Sequence, residues 1–155
     1  MGVRVAIVIC ATSFLLGCFF THWIADSNTL WQSNVTDARL HTAANYYSIL
    51  STMPSWMDAL LVLIMTLSAV ALIWSFWEGK AGNLMFDGAS TFLSSCALVV
   101  WVYSCLPNID LLAVRLPPSG AFPVELKNAT LEIATKNLVC SVALTGVMLL
   151  QAGRQ

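Results

Sequence analysis

The chain has 155 residues, 58% of them hydrophobic and only 10% charged, with a formal net charge of −1 at pH 7. Soluble domains carry about 25% charged residues, and a domain this small buries only part of its chain, so an aqueous fold would leave too much apolar surface in water. The seven Lys and Arg residues are scattered, which excludes a basic face for nucleic acid, and the length suits a single membrane domain over residues 1–155.

Four apolar stretches, Val5–Ala25, Trp56–Trp77, Leu84–Leu106 and Ala134–Gly153, run for 20 to 23 residues each. A hydrocarbon core about 30 Å thick needs about 20 residues of helix, and none of these runs alternates as a barrel strand would. The expected fold is therefore all-α, an integral membrane four-helix bundle with two longer connections.

Taken in order, the first stretch opens like a signal peptide after Arg4. It is long for that role and meets no A-x-A-like site, continuing Phe19-Phe20-Thr21-His22-Trp23. Leu15-Leu16-Gly17-Cys18 looks like a lipoprotein cleavage box, but three further spans argue for a retained helix. Ser13-x-x-x-Gly17 makes a small-x-x-x-small pair on it. In the long connection that follows, Thr36–Leu50 reads as an amphipathic helix. Leu40, Ala43, Ala44, Tyr47 and Leu50 share one face and Asp37, Arg39 and Asn45 lie off it, an element expected on the membrane surface. Pro54 breaks the chain before the second span.

Glu78–Asn83 is a tight turn that makes the second and third spans a hairpin. The third carries Asp87, Ser90, Thr91 and Ser94 near its start, and Pro107–Ile133 is expected to be a long connection. The fourth, the most polar, carries Asn137, Ser141 and Thr145 at i, i+4, i+8. Such polar and small faces pack helices in lipid, within the bundle or against another membrane protein.

Charges at mid-bilayer mark transport pathways, yet Asp58, Asp87 and Lys136 all sit near segment ends and the five prolines fall in connections. A transporter is disfavoured. Asp58 and Lys136 open helices from the same side, as interfacial anchors or as an ion pair. His22 and His41 are the only histidines. With no HExxH, nucleophile elbow or phosphate loop, neither an enzyme nor a metal or cofactor is expected. The five cysteines all lie in apolar segments and imply no stapling disulfide.

The amino terminus with Arg4, Lys80 and Arg154 share one side, which the positive-inside rule makes cytoplasmic, so both termini are cytoplasmic and both long connections lumenal. Acceptor patterns at Asn34-Val35-Thr36 and Asn128-Ala129-Thr130 fall in those two connections, and Asn34, farther from a span, is the better glycosylation candidate. Aromatic belts fit too, with Trp23, Trp31, Tyr46, Tyr47, Trp56, Trp101 and Tyr103 on the lumenal side and Trp74 and Trp77 on the other.

Ala11-Thr12-Ser13-Phe14-Leu15-Leu16-Gly17-Cys18-Phe19-Phe20 resembles the opening of the fungal Shr-three family. Ala44-Asn45-Tyr46-Tyr47 is similar to that family's first lumenal loop. The last helix matches through Ala134-Thr135, Asn137-Leu138 and Leu150-Gln151-Ala152-Gly153, and the order of four spans agrees. The resemblance implies a chaperone of the endoplasmic reticulum membrane. It would assist folding and vesicle export of newly made amino-acid permeases, with vesicle-coat components as further partners. In that family a hydrophilic cytoplasmic tail follows the last helix, whereas this sequence ends at Arg154-Gln155. The candidate helix-contact residues are Ser13, Gly17, Ser94, Asn137, Ser141, Thr145 and Gln151. The competing reading is a constitutive accessory subunit of a larger membrane complex.

Overall fold

A computed structural model describes residues 2–77, 81–117 and 120–153. The described helices are α1 (Gly2–Asp26), α2 (Asp37–Leu50), α3 (Ser55–Trp77), α4 (Ala81–Val100), a π-helical turn (Trp101–Cys105), α5 (Leu106–Arg115) and α6 (Val124–Ala152). Four helical stretches are long and apolar enough to cross a membrane: Gly2–Asp26, Ser55–Trp74, Leu84–Arg115 and Val124–Ala152. The all-α four-span architecture is as expected. The first half of the expected tight turn, with Lys80, lies outside the described residues, as does Arg154.

The Pro107–Ile133 connection is the main correction. The third span does not end at Leu106 but runs on helically to Arg115, and α6 begins at Val124, ten residues before the expected start. Pro107 is thus inside a continuous helical stretch rather than in a loop. A proline has no N–H and its ring crowds the preceding turn, and the chain absorbs this by widening one turn. The Leu106 N–H bonds the Trp101 carbonyl, five residues back, as in other π-bulges. The Asn108 side-chain amide then donates to the Ser104 carbonyl at 2.9 Å.

The chain divides into two compact units. One comprises Met1–Cys18, Pro54–Leu98 and Cys140–Gln155. Its apolar centre is Val8, Ala71, Leu72 and Val147 with Leu93 against them. Close approach is achieved at Gly146, where an added Cβ would come within 2.9 Å of the Leu93 side chain. Cys140 Sγ reaches the Ala97 carbonyl at 3.4 Å.

The other unit comprises Phe19–Met53 and Val99–Val139. Its core gathers Ala25, Leu40, Ala44, Tyr47, Cys105, Ile109, Leu112, Phe122, Leu126 and Ile133. The apolar face expected for α2 is real, with Leu40, Ala43, Ala44 and Tyr47 all buried, but its surroundings differ from expectation. That face packs into a protein core instead of lying on lipid, because α5 and the start of α6 extend far enough to cover it. Two polar links hold α2 to the turn before α6. The Phe122 N–H donates to Asp37 Oδ2 at 3.4 Å, and His41 Nε2 lies 3.2 Å from the Gly120 carbonyl with its ring edge-on to Phe122. Gly120 has φ +113, a backbone shape that side-chain-bearing residues avoid.

Candidate functional site

In the unit with the α2 core, three buried polar side chains from three helices close on one another: Asp26 at the end of α1, Tyr47 on the inner face of α2, and Asn137 on α6. They are 1%, 1% and 2% exposed. The Tyr47 hydroxyl donates to Asp26 Oδ1. The Asn137 amide donates to Tyr47 Oη at 3.0 Å and to Asp26 Oδ2 at 3.4 Å. The Cys105 thiol lies 3.8 Å from Asn137 Oδ1. Both amide hydrogens of Asn137 are thereby used, and the three groups form a closed ring. Burial, reinforced by the neighbouring Asp26 carboxyl, raises the Tyr47 phenol well above its ordinary value of 10.0. The hydroxyl therefore stays protonated as a donor. Beside the ring, His22 Nδ1 is 2.8 Å from the Tyr46 hydroxyl, and Thr29 Oγ1 donates to the Asp26 carbonyl.

A second polar cluster lies in the other unit. Gln151 on α6 donates through Nε2 to Asp87 Oδ1 and to Ser90 Oγ of α4, both at 2.9 Å. Asp87, expected near an interface within reach of water, is instead 1% exposed. An interhelical hydrogen bond replaces its hydration, as the cost of burying an unpaired polar group demands.

The helix-contact candidates separate into two kinds. Asn137 and Gln151 are committed to the clusters above. Ser141 is buried and Ser94 half-buried, and Thr145 turns its hydroxyl onto the Ser141 carbonyl of its own helix. Gly17 differs: nothing lies within 4 Å of where its Cβ would be. Ser13, one turn away, is exposed and reaches only Met148 Sδ at 3.8 Å. Asp58 is exposed in the first turn of α3. Lys136 is half-buried and does not open its helix as expected, since α6 starts twelve residues earlier, about 18 Å along the axis. Asn34 is exposed ahead of α2. All five cysteines are free thiols. Among the described residues no group of His, Cys, Asp and Glu side chains is arranged to hold a metal, and His22 and His41 serve separate contacts.

Sequence reasoning missed Asp26, which was read as the first residue of a loop. The signal available was Tyr47: a tyrosine on a buried face needs a partner for its hydroxyl.

The chain matches the SHR3 chaperone family, described as ER membrane protein SH3, over residues 1–155. It belongs to that family. It is similar to the Secretory component protein psh3 of Schizosaccharomyces pombe, 27% identical over 155 residues, covering 98% of this chain and 70% of that protein. No solved structure matches. Membership in the SHR3 chaperone family, with four helical stretches long and apolar enough to cross a bilayer, makes this a multi-pass membrane protein of a chaperone family.

Proposed function

We propose that this SHR3-family protein is a packaging chaperone for amino-acid permeases, assisting their folding in the endoplasmic reticulum membrane and their export in vesicles with coat components. The observation that carries the reading is the family match along the whole chain, with a relative named as a secretory component. The geometry supports a division of labour. Polar side chains that would otherwise grip a client are spent on internal bonds, through Asn137 in one unit and Gln151 in the other. The α1 face around Ser13 and Gly17 is a small-residue face with room beside it. In lipid, small residues let a second backbone approach closely, so client helices are proposed to dock there.

The test places a photocrosslinking residue at position 17 or position 146 of the full chain in cells and reads the products by mass spectrometry. The proposal expects newly made permeases from position 17 and none from position 146, whose surroundings are filled by Leu93. Normal permease export in cells lacking the protein would refute the chaperone reading. A stable, stoichiometric partner in detergent would favour a constitutive accessory subunit instead, because a chaperone releases its client.

A further inference from the structure

Two tripeptides in this chain match the acceptor pattern for N-linked glycosylation, and the structure treats them oppositely. Asn128-Ala129-Thr130 lies inside α6. There Thr130 is fully buried and its hydroxyl donates to the Leu126 carbonyl at 2.8 Å. A helical backbone cannot bring an asparagine amide and the hydroxyl two residues on into one enzyme's grip, and here the hydroxyl is also shut away.

Asn34-Val35-Thr36 is open by every one of these measures. Asn34 sits in a bend and is exposed, and Thr36 is exposed with extended backbone, φ −83 and ψ 155. Thr36 also holds the N-cap position of α2, where a threonine hydroxyl ordinarily accepts a backbone N–H, yet its side chain makes no cap bond. The bend is held from the other side, since Arg39 Nη1 donates to Gln32 Oε1 at 2.6 Å and to the Asn34 carbonyl at 3.4 Å. The backbone is pinned while the amide and the hydroxyl, the two groups that glycosyl transfer needs, stay outside.

We infer that Asn34 is an N-glycosylation site of this protein and Asn128 is not. The donor is a lipid-linked oligosaccharide pyrophosphate. The Asn34 amide nitrogen attacks the anomeric carbon, the carbon–oxygen bond to phosphate breaks, the lipid pyrophosphate leaves with the electron pair, and the amide gives up one proton to the transferase. The inference rests on the endoplasmic reticulum setting proposed above and on a lumenal α1–α3 connection, and it does not depend on which cargo is bound.

The full chain, with an added acceptor tract fused after Gln155, is expressed in cells and its gel mobility compared with and without endoglycosidase. A single glycan is expected. It is lost in Asn34→Gln and in Thr36→Ala, kept in Asn128→Gln, and the fused tract stays unmodified. A shift that survives Asn34→Gln and disappears in Asn128→Gln overturns the assignment. So does an unshifted chain, with the fused tract deciding the cause. If the tract is modified, the orientation is inverted; if it is not, Asn34 is refused by the transferase. Permease crosslinking from position 17 is unaffected by a failure at Asn34, so the two proposals fall separately.

Discussion

Replacing Tyr47 with phenylalanine removes a single oxygen from the Asp26–Tyr47–Asn137 ring and leaves the aromatic packing intact. Two hydrogen bonds disappear, one donated to Asp26 and one accepted from Asn137 at 3.0 Å, and both partners remain buried. If the ring behaves like interhelical bonds in lipid, at about 0.6 kcal/mol each, the loss is about 1.2 kcal/mol, or about eightfold in the opening equilibrium. If it behaves as a desolvated polar network, the loss is about 2 kcal/mol, or about thirtyfold. The larger figure is expected, because α2 lies outside the spanning helices and Tyr47 has water as its alternative partner when the unit opens. Cys105 provides the readout: its thiol is fully buried beside Asn137. In a chain whose other four cysteines are replaced, maleimide labelling of Cys105 in mild detergent reports the open population, provided reclosing outpaces labelling. Tyr47→Phe should speed labelling between eightfold and thirtyfold, whereas Thr42→Ala, on the exposed face of the same helix, should leave it unchanged. Labelling of Tyr47→Phe within about twofold of the parent would show that the ring carries no net stability, the outcome for a network whose bonds are fully replaced on opening.

The same phenol sets an alkaline limit. Its value in the folded protein is raised above 10.0, so the unfolded state loses the proton first. Its contribution to stability is then fully present below pH about 10 and is lost as pH rises beyond it, a share of the alkaline decline that Tyr47→Phe should remove in pH-titrated unfolding. At Gly146, alanine places a Cβ 2.9 Å from Leu93 and should cost about 1–3 kcal/mol by overpacking. Leu93→Ala in the same chain should restore part of that loss, while Gly17→Ala should leave stability within about 0.5 kcal/mol of the parent. Gln151→Glu sets a second carboxyl against Asp87 in place of a 2.9 Å donor and should destabilise more than Gln151→Leu, read by thermal unfolding in detergent. The Arg115–Glu125 pair is 59% and 63% exposed, so Arg115→Ala should change stability by less than about 1 kcal/mol.

The four spans and the inner face of α2 were legible in the sequence because both are local properties. A span is a length of apolar residues, and the face is a 3.6-residue spacing of Leu40, Ala43, Ala44 and Tyr47. The early start of α6 was hidden by its composition, since Glu125, Lys127 and Glu132 interrupt any apolar run. The helical spacing was nonetheless present: Leu126, Ala129, Thr130, Ile133 and Ala134 are the residues buried there. Pro107 concealed the continuation of the third span, because a proline ends most helices and a π-turn that carries one onward depends on the neighbouring carbonyls finding other donors. The ring of Asp26, Tyr47 and Asn137 was illegible for a different reason. Its members are 21, 90 and 111 residues apart, and one polar residue near the end of an apolar run looks the same whether it meets water or a partner from another helix.

That ring also bears on how a membrane chaperone releases what it holds. Lipid is as apolar as a leucine side chain, so two helices in a bilayer gain little by hiding apolar surface from it, and their adhesion comes from close packing and hydrogen bonds. A chaperone whose polar groups projected outward would bond to its client and keep it. Here Asn137, Asp26, Asp87 and Gln151 are hydrogen-bonded to partners in the same chain. The face proposed for clients carries Ser13 and Gly17 alongside exposed Phe14 and Phe20, where contact is mainly dispersion. Each such atom pair contributes only about 0.1–0.2 kcal/mol, enough to delay a wrong association and too little to outlast the client's own helix pairing. On this reasoning a polar residue installed at the open position, Gly17→Asn, should turn transient contact into retention. Permease would then accumulate in the endoplasmic reticulum, crosslinked to the variant for longer than to the parent. Unchanged dwell time with normal export would mean that clients do not dock on that face of α1.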